Sequence, residues 1–107
     1  MSKSRWPVVA TSISGIAPEI WRAFRDQADA LNMTDREAME AAIQALAVSV
    51  KSGEDIPWPP TKRGKVEVIR THETIHNELK ALVKETGYRQ NVVVLAAMQR
   101  WLNSNKS

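Results

Sequence analysis

The apolar positions of this chain fall into two similar series that lie 55 residues apart. A shift of that length places Ile20 on Ile75 and Phe24 on Leu79, and it superposes further apolar positions later in each series. Those pairs are Ala28 with Val83, Met39 with Val94, Ala42 with Ala97, Ile43 with Met98, and Leu46 with Trp101. Self-similarity at a fixed offset is typical of a repeated structural unit. The sequence therefore predicts two copies of one unit.

Each copy begins with a short segment rich in Val, Ile and Thr, at residues 8–13 and 65–70, which favours a β-strand. A helix is predicted next, over residues 18–31 in the first copy and 73–86 in the second. Apolar residues recur in both at the spacing of a single buried helix face. Pro18 stands at a first-turn position, where its missing N–H costs no hydrogen bond.

The first helix of each copy is predicted to end at equivalent positions, Asn32 and Gly87. These two residue types best tolerate the left-handed conformation that closes a helix. Thr34 and Glu37 then have the spacing of a capping box, so a second helix is expected to run to Lys51. Its counterpart is expected over residues 89–103. Alanines on both second helices predict that these helices approach each other closely.

Residues 52–64 are predicted to form a linker, because their three prolines and two glycines exclude regular structure. An extended chain of this length reaches roughly 40 Å, at about 3.3 Å per residue. The linker can therefore carry the second strand back beside the first, and Trp58 is expected to fix it to the surface. We expect a single domain over residues 1–107, with one unit at 8–51 and the other at 65–103.

The composition is that of a globular protein, with 43% hydrophobic and 25% charged residues. No apolar run is long enough to cross a bilayer. The absence of cysteine removes disulfides and thiolate chemistry and suits a reducing cytosol, so we expect a cytoplasmic protein without a membrane partner. The net charge is +3, and basic residues flank both predicted strands, which favours an anionic partner. Lys3 and Arg5 flank the first strand.

One short motif points to different chemistry. His72, Glu73 and His76 spell H-E-x-x-H, in which two histidines can hold zinc while the glutamate acts as a general base. The chain has no third histidine, and Glu78 and Glu85 on the same helix are poor third ligands. We therefore predict that the protein is not an enzyme and has no metal or cofactor, with His72 at a helix start and His76 on the surface.

Strand, helix, tight turn and helix, twice over, resemble the ribbon-helix-helix family. The resemblance covers nearly the whole chain, and it depends on the hydrophobic spacing, on the segment THETIHNELKALVKETGYRQ and on the turns at Asn32 and Gly87. It implies a mainly α fold in which a two-stranded antiparallel ribbon lies over four helices, as a pseudo-dimer in one chain.

The functions that the resemblance implies begin with double-stranded DNA binding. In this family the ribbon enters the major groove, so the chain is expected to be a transcriptional repressor of the kind found on plasmids. Two alternatives remain open: an accessory protein of conjugative DNA transfer, or an antitoxin-type interaction module that binds a relaxase or a toxin. A monomeric pseudo-dimer and a homo-oligomer on DNA are both compatible with the sequence.

The resemblance also implies two groups of DNA-binding residues. The ribbon and its flanks contribute Thr11, Ser12, Ser14, Lys62, Arg63, Lys65 and Arg70. The N-termini of the second helices, which bind phosphate in this family, contribute Thr34, Arg89, Gln90 and Asn91. Asp35 opposes phosphate, so the second copy is expected to hold the DNA backbone more tightly.

Two registers of the ribbon remain open. The first places Val66 and Val68 inward with Thr11 and Ile13, and its outward residues are Lys65, Glu67 and Ile69 with Ala10, Ser12 and Ser14. The second exchanges the faces, and its outward residues are Val66, Val68 and Arg70 with Thr11, Ile13 and Gly15. A bulge at Gly15 would reconcile the two. Neither outward face is densely polar, which predicts modest sequence specificity.

Overall fold

The computed structural model describes residues 7–61 and 65–105 of the chain. Within these ranges it contains four helices and one two-stranded sheet. The elements in chain order are β1 (Val8–Ile13), α1 (Pro18–Ala30), α2 (Asp35–Lys51), β2 (Glu67–His72), α3 (Glu73–Thr86) and α4 (Gln90–Ser104). The predicted mainly α class is confirmed.

The two strands pair with each other in antiparallel orientation, although they are separated in sequence by two helices and the linker. Val8 lies opposite His72 at one end of the ladder, and Ile13 lies opposite Glu67 at the other. β2 begins two residues later than predicted and continues directly into α3, with His72 as the helix N-cap. The pairing of the two strands is thus confirmed, and the bounds of the second are corrected.

The helices begin at the spacing that the sequence repeat predicts. α1 and α3 start at residues 18 and 73, and α2 and α4 start at residues 35 and 90, so both pairs are 55 residues apart. Asn32 and Gly87 have φ angles of 59° and 79°, the left-handed conformation expected after each first helix. The capping box is also present, because Thr34 Oγ1 accepts the Glu37 N–H and Glu37 Oε1 accepts the Thr34 N–H.

One apolar core lies between the ribbon and the helices. α2 packs against α4 along faces that contain small residues, and Ala38, Ala42 and Ala97 are at most 1% exposed. Phe24 of α1 reaches Trp101 of α4, and their ring centroids are 4.8 Å apart. Because both copies contribute to this core, the halves of the chain depend on each other for burial of their apolar faces.

The described part of the linker is held against the helices. Ile56 is buried, and Trp58 stacks on Tyr88 with ring centroids 4.7 Å apart, as predicted for a tryptophan that fixes the linker. Glu54 forms an ion pair with Arg100, and its Oε2 lies 2.9 Å from Nη1 of Arg100. The hydrogen bond from Arg100 lowers the pKa of Glu54 below its ordinary value of 4.5, with a second contribution from Ser49.

None of the helices in the described ranges has the combination of length and apolar character that a membrane crossing requires.

Candidate nucleic-acid interface

The ribbon buries one face against the helices and exposes the other. Thr11 and Ile13 of β1 and Ile69 and Thr71 of β2 are at most 8% exposed. The exposed side chains of the strands and of the residues next to them form what we call the ribbon face. It consists of Val8, Ala10, Ser12, Ser14, Val66, Val68 and Arg70.

This ribbon combines one half of each register that the sequence leaves open. β1 faces as in the first register, with Ile13 inward, whereas β2 faces as in the second, with Arg70 outward. The inward residues Ile13 and Ile69 are 56 residues apart, but the helix starts are 55 apart. The first copy therefore has one more residue than the second between this inward strand residue and the start of its helix. Gly15 in that connection has a φ of 85°, which glycine adopts without a Cβ clash.

The prediction that Thr11 contacts DNA is corrected by the structure. Thr11 is 8% exposed and lies on the inner face, where its Oγ1 is 3.2 Å from Nδ1 of His76. Successive side chains of a strand point to opposite faces, so Thr11 and Ser12 cannot both face a DNA groove. Ser12 and Ser14 are exposed, as in the first of the two registers that the sequence leaves open.

Two exposed cations contribute positive charge to this surface: Arg70, which belongs to the ribbon face, and Lys65, which lies next to it. Arg70 lies directly opposite Ala10 in the ladder. Lys65 is exposed two residues before β2. Neither side chain forms an ion pair with any residue in the described ranges. Their charges therefore remain available to an anionic partner. Lys62 and Arg63, also predicted here, lie outside the described residues.

The N-terminus of α4 is suited to an anion. Arg89 is its N-cap, no acidic residue occupies the first turn, and no side chain caps it. First-turn N–H groups lack partners within the helix and carry partial positive charge, so they bind phosphate readily. Asn91 Nδ2 donates a 3.0 Å hydrogen bond to the carbonyl oxygen of Ser14. This bond holds the α4 N-terminus beside the end of β1. Gln90, the first residue of α4, is half-buried.

The N-terminus of α2 is less favourable to an anion. The capping box occupies the hydroxyl acceptor of Thr34 with the Glu37 N–H and places the Glu37 carboxylate on the Thr34 N–H. Asp35 adds a second negative charge, 68% exposed, whose Oδ2 is 3.6 Å from Nε of Arg25. The first turn of α2 therefore carries two negative charges that the first turn of α4 lacks, as the sequence predicts.

Arg36 was not among the residues predicted to contact DNA, yet it lines the same surface pocket as Arg70 and Thr34. The 55-residue shift places Arg36 on Asn91, and Asn91 is one of the residues predicted to bind phosphate. The repeat therefore contained a signal for Arg36. Because Asn91 lies beside the end of β1, the equivalent residue of the first copy is expected beside β2.

The H-E-x-x-H residues make contacts within the protein. His72 lies at the end of β2, and both its backbone N–H and its ring Nδ1 contact Glu40 Oε2, at 2.6 and 2.7 Å. Nδ1 of His76 is within hydrogen-bond distance of Oγ1 of Thr11. In the part of the chain that the structure describes, no three His, Cys, Asp or Glu side chains are grouped as metal ligands would be.

Comparisons of this chain with protein-family models, with curated proteins and with solved structures gave no match.

Proposed function

We propose that this chain is a tandem ribbon-helix-helix protein that binds double-stranded DNA and acts as a transcriptional repressor. The observation that carries the proposal is the antiparallel ribbon, which buries one face and exposes the other beside two helix N-termini. A two-stranded ribbon is one of the shapes that the major groove, about 12 Å wide, accommodates. The ribbon face would lie toward the base edges.

Contacts to the DNA backbone would come mainly from the second copy. The first turn of α4 offers free N–H groups and the Arg89 side chain without an opposing acid. At α2, Asp35 and Glu37 repel phosphate, and Arg36 and Arg70 attract it. Phosphate contacts fix the position of a protein on DNA and carry no sequence information. We therefore expect binding in which α4 anchors the protein and the ribbon face adds selectivity.

Sequence selectivity would rest on few groups. Arg70 is the ribbon-face residue that could read guanine through two hydrogen bonds, and Ser12 and Ser14 could each donate or accept one. Val66 and Val68 could contact thymine methyl groups. A bidentate contact discriminates between bases by about 1–3 kcal/mol, so one such contact gives modest selectivity. Repression would follow from occupation of an operator, with no chemical step.

The test is duplex binding, measured by fluorescence anisotropy for the wild type and for Arg89→Ala and Lys65→Ala. Each substitution should weaken binding and reduce the slope of log affinity against log salt by about one. Lys51→Ala is the matched control, because Lys51 is an exposed cation at the other end of α2, roughly 24 Å from its start. Equal affinity in all four proteins, with unchanged helical content, would contradict the proposal.

A second candidate function is favoured by the valines. Val8, Val66 and Val68 are 41%, 61% and 48% exposed on the same side of the ribbon. An apolar stripe of this kind suits a protein partner, as an antitoxin or a DNA-transfer accessory protein would have. Such a module would show little salt-dependent affinity for duplex DNA, whereas DNA binding through phosphates weakens steeply as salt rises. Substitution of Val66 and Val68 by threonine would then abolish partner binding while the Lys65 variant kept it.

A further inference from the structure

A pocket of about 430 Å³ opens between α1, the start of α2 and β2. This volume lies within the roughly 300–1,000 Å³ range of small-molecule sites. Its apolar lining includes Trp21, Phe24, Met39 and Ile69, each at most 5% exposed as a residue. These side chains come from three elements of the core, so the lining is rigidly supported. A compact apolar group would fit against it.

The polar lining of this pocket is predominantly cationic. Arg25, Arg36 and Arg70 contribute three guanidinium groups, and Asp35 contributes the single carboxylate. Arg25 is already neutralised, since it contacts Asp35 at 3.6 Å and Glu67 at 3.2 Å. Arg36 and Arg70 form no ion pair with any other described residue. Two positive charges at the pocket are therefore available to a ligand.

Two further kinds of donor are present. The capping box uses the N–H groups of Thr34 and Glu37, which leaves those of Asp35 and Arg36 without a partner in the first turn of α2. The indole Nε1–H of Trp21 is buried and has no hydrogen-bond acceptor among the described residues, and Trp21, which is 5% exposed, also lines the pocket. A buried donor without an acceptor is rare in folded proteins and is costly unless something binds it.

We infer that this pocket binds a small organic carboxylate with an aromatic or branched aliphatic body. The body would lie against the apolar lining, and the carboxylate would accept hydrogen bonds from Arg36, Arg70 and the start of α2. Guanidinium groups match a carboxylate with two parallel hydrogen bonds, which favours this anion over a halide.

The test is a titration followed by the indole N–H resonances in ¹⁵N-labelled protein, with 3-phenylpropanoate as the probe. Trp21→Phe identifies the Trp21 resonance by its loss. The Trp21 signal should move in a saturable way, and 3-phenylpropanamide and acetate, which lack the charge and the apolar body respectively, should bind at least about tenfold more weakly. A Trp21 signal that does not move, or equal binding of the amide, would overturn the inference.

Substitutions at the pocket rim supply a second readout. Arg36→Gln with Arg70→Gln should weaken 3-phenylpropanoate binding by about tenfold or more, because both charged donors are lost. Lys51→Gln, which removes an exposed cation away from the pocket, should leave it unchanged. Arg36, Arg70 and Lys51 are all exposed, so the fold should persist in each variant. Equal affinity in the two variants would also overturn the inference.

A consequence for DNA binding rests on the proposed function. The carboxylate would neutralise Arg36 and Arg70, which are part of the proposed DNA surface, so 3-phenylpropanoate should lower duplex affinity while acetate should not. If the Trp21 signal moves but duplex affinity is unaffected, the ligand site stands and the coupling fails. If the protein binds no duplex under any condition, the proposed function fails, and the indole titration still decides the site.

Discussion

Replacement of Asp35 by asparagine is expected to strengthen DNA binding and to weaken the fold. Asp35 is the first residue of α2 and is 68% exposed beside Arg36 and Arg70, which belong to the proposed DNA surface. Its charge stabilises the helix N-terminus and repels DNA, so the same substitution acts on the two properties in opposite directions.

The loss of stability follows from two small terms. The contact between Asp35 and Arg25 joins side chains that are 68% and 50% exposed, and such surface pairs contribute about 0–1 kcal/mol. An acid in the first turn adds about 0.3–1 kcal/mol through the helix dipole. The variant should therefore be less stable by about 1 kcal/mol, which lowers Tm by about 4 °C in a domain of this size.

The gain in DNA affinity follows from Coulomb's law. Removal of one negative charge about 4–8 Å from a phosphate in water is worth about 0.5–1 kcal/mol, or about two- to fivefold in affinity. The gain should shrink as salt is added, because the Debye length falls to about 8 Å at physiological ionic strength.

Thermal unfolding and duplex titrations at low and physiological salt would measure both effects. Asp55→Asn is the matched control, since Asp55 is an exposed acid in the linker, after the far end of α2. Its neighbour Glu54 contacts Arg100 near the end of α4. It should change duplex affinity much less. An Asp35 variant that folds but binds DNA no better than the wild type would refute the assignment of the start of α2 to the DNA surface.

Three further predictions concern the fold. Phe24→Ala should cost about 3–5 kcal/mol in urea denaturation, because the ring is 1% exposed and packs on Trp101. Thr34→Ala should cost about 1 kcal/mol in the same assay, since it removes half of the capping box. The folded-state pKa of Glu54 is lowered, chiefly by the hydrogen bond from Arg100, so its contribution to stability is present above the unfolded value of 4.5 and is lost as pH falls through the folded pKa. Wild type should therefore be more stable than Glu54→Gln at pH 7, and a stability difference that did not narrow on acidification below 4.5 would contradict this.

The helices and the strand pairing were predictable because their signals are redundant. The apolar series and the turns at Asn32 and Gly87 recur at one offset, and the Thr34 cap marks the start of a second helix that agrees with this offset. A local error would therefore be visible against the other copy. The pairing of the strands followed from the cost of leaving two short strands alone. Neither inference needed three-dimensional information.

The outward face of the ribbon could not be predicted, because one residue decides it. A period of two assigns residues to two faces without saying which face is buried, and the extra residue near Gly15 shifts one strand relative to its helix.

The pocket could not be predicted from the sequence either. Trp21, Arg36 and Arg70 belong to three elements, and only the folded chain brings them to one surface.

Binding of duplex DNA by the ribbon face would be visible in a map of the amide resonances that change when a short duplex is titrated into the labelled protein. We expect the changes to cluster at Ser12, Ser14, Val68 and Arg70 and at the start of α4. This expectation would be contradicted by changes confined to the far ends of α2 and α4 and to the linker, with the ribbon unaffected.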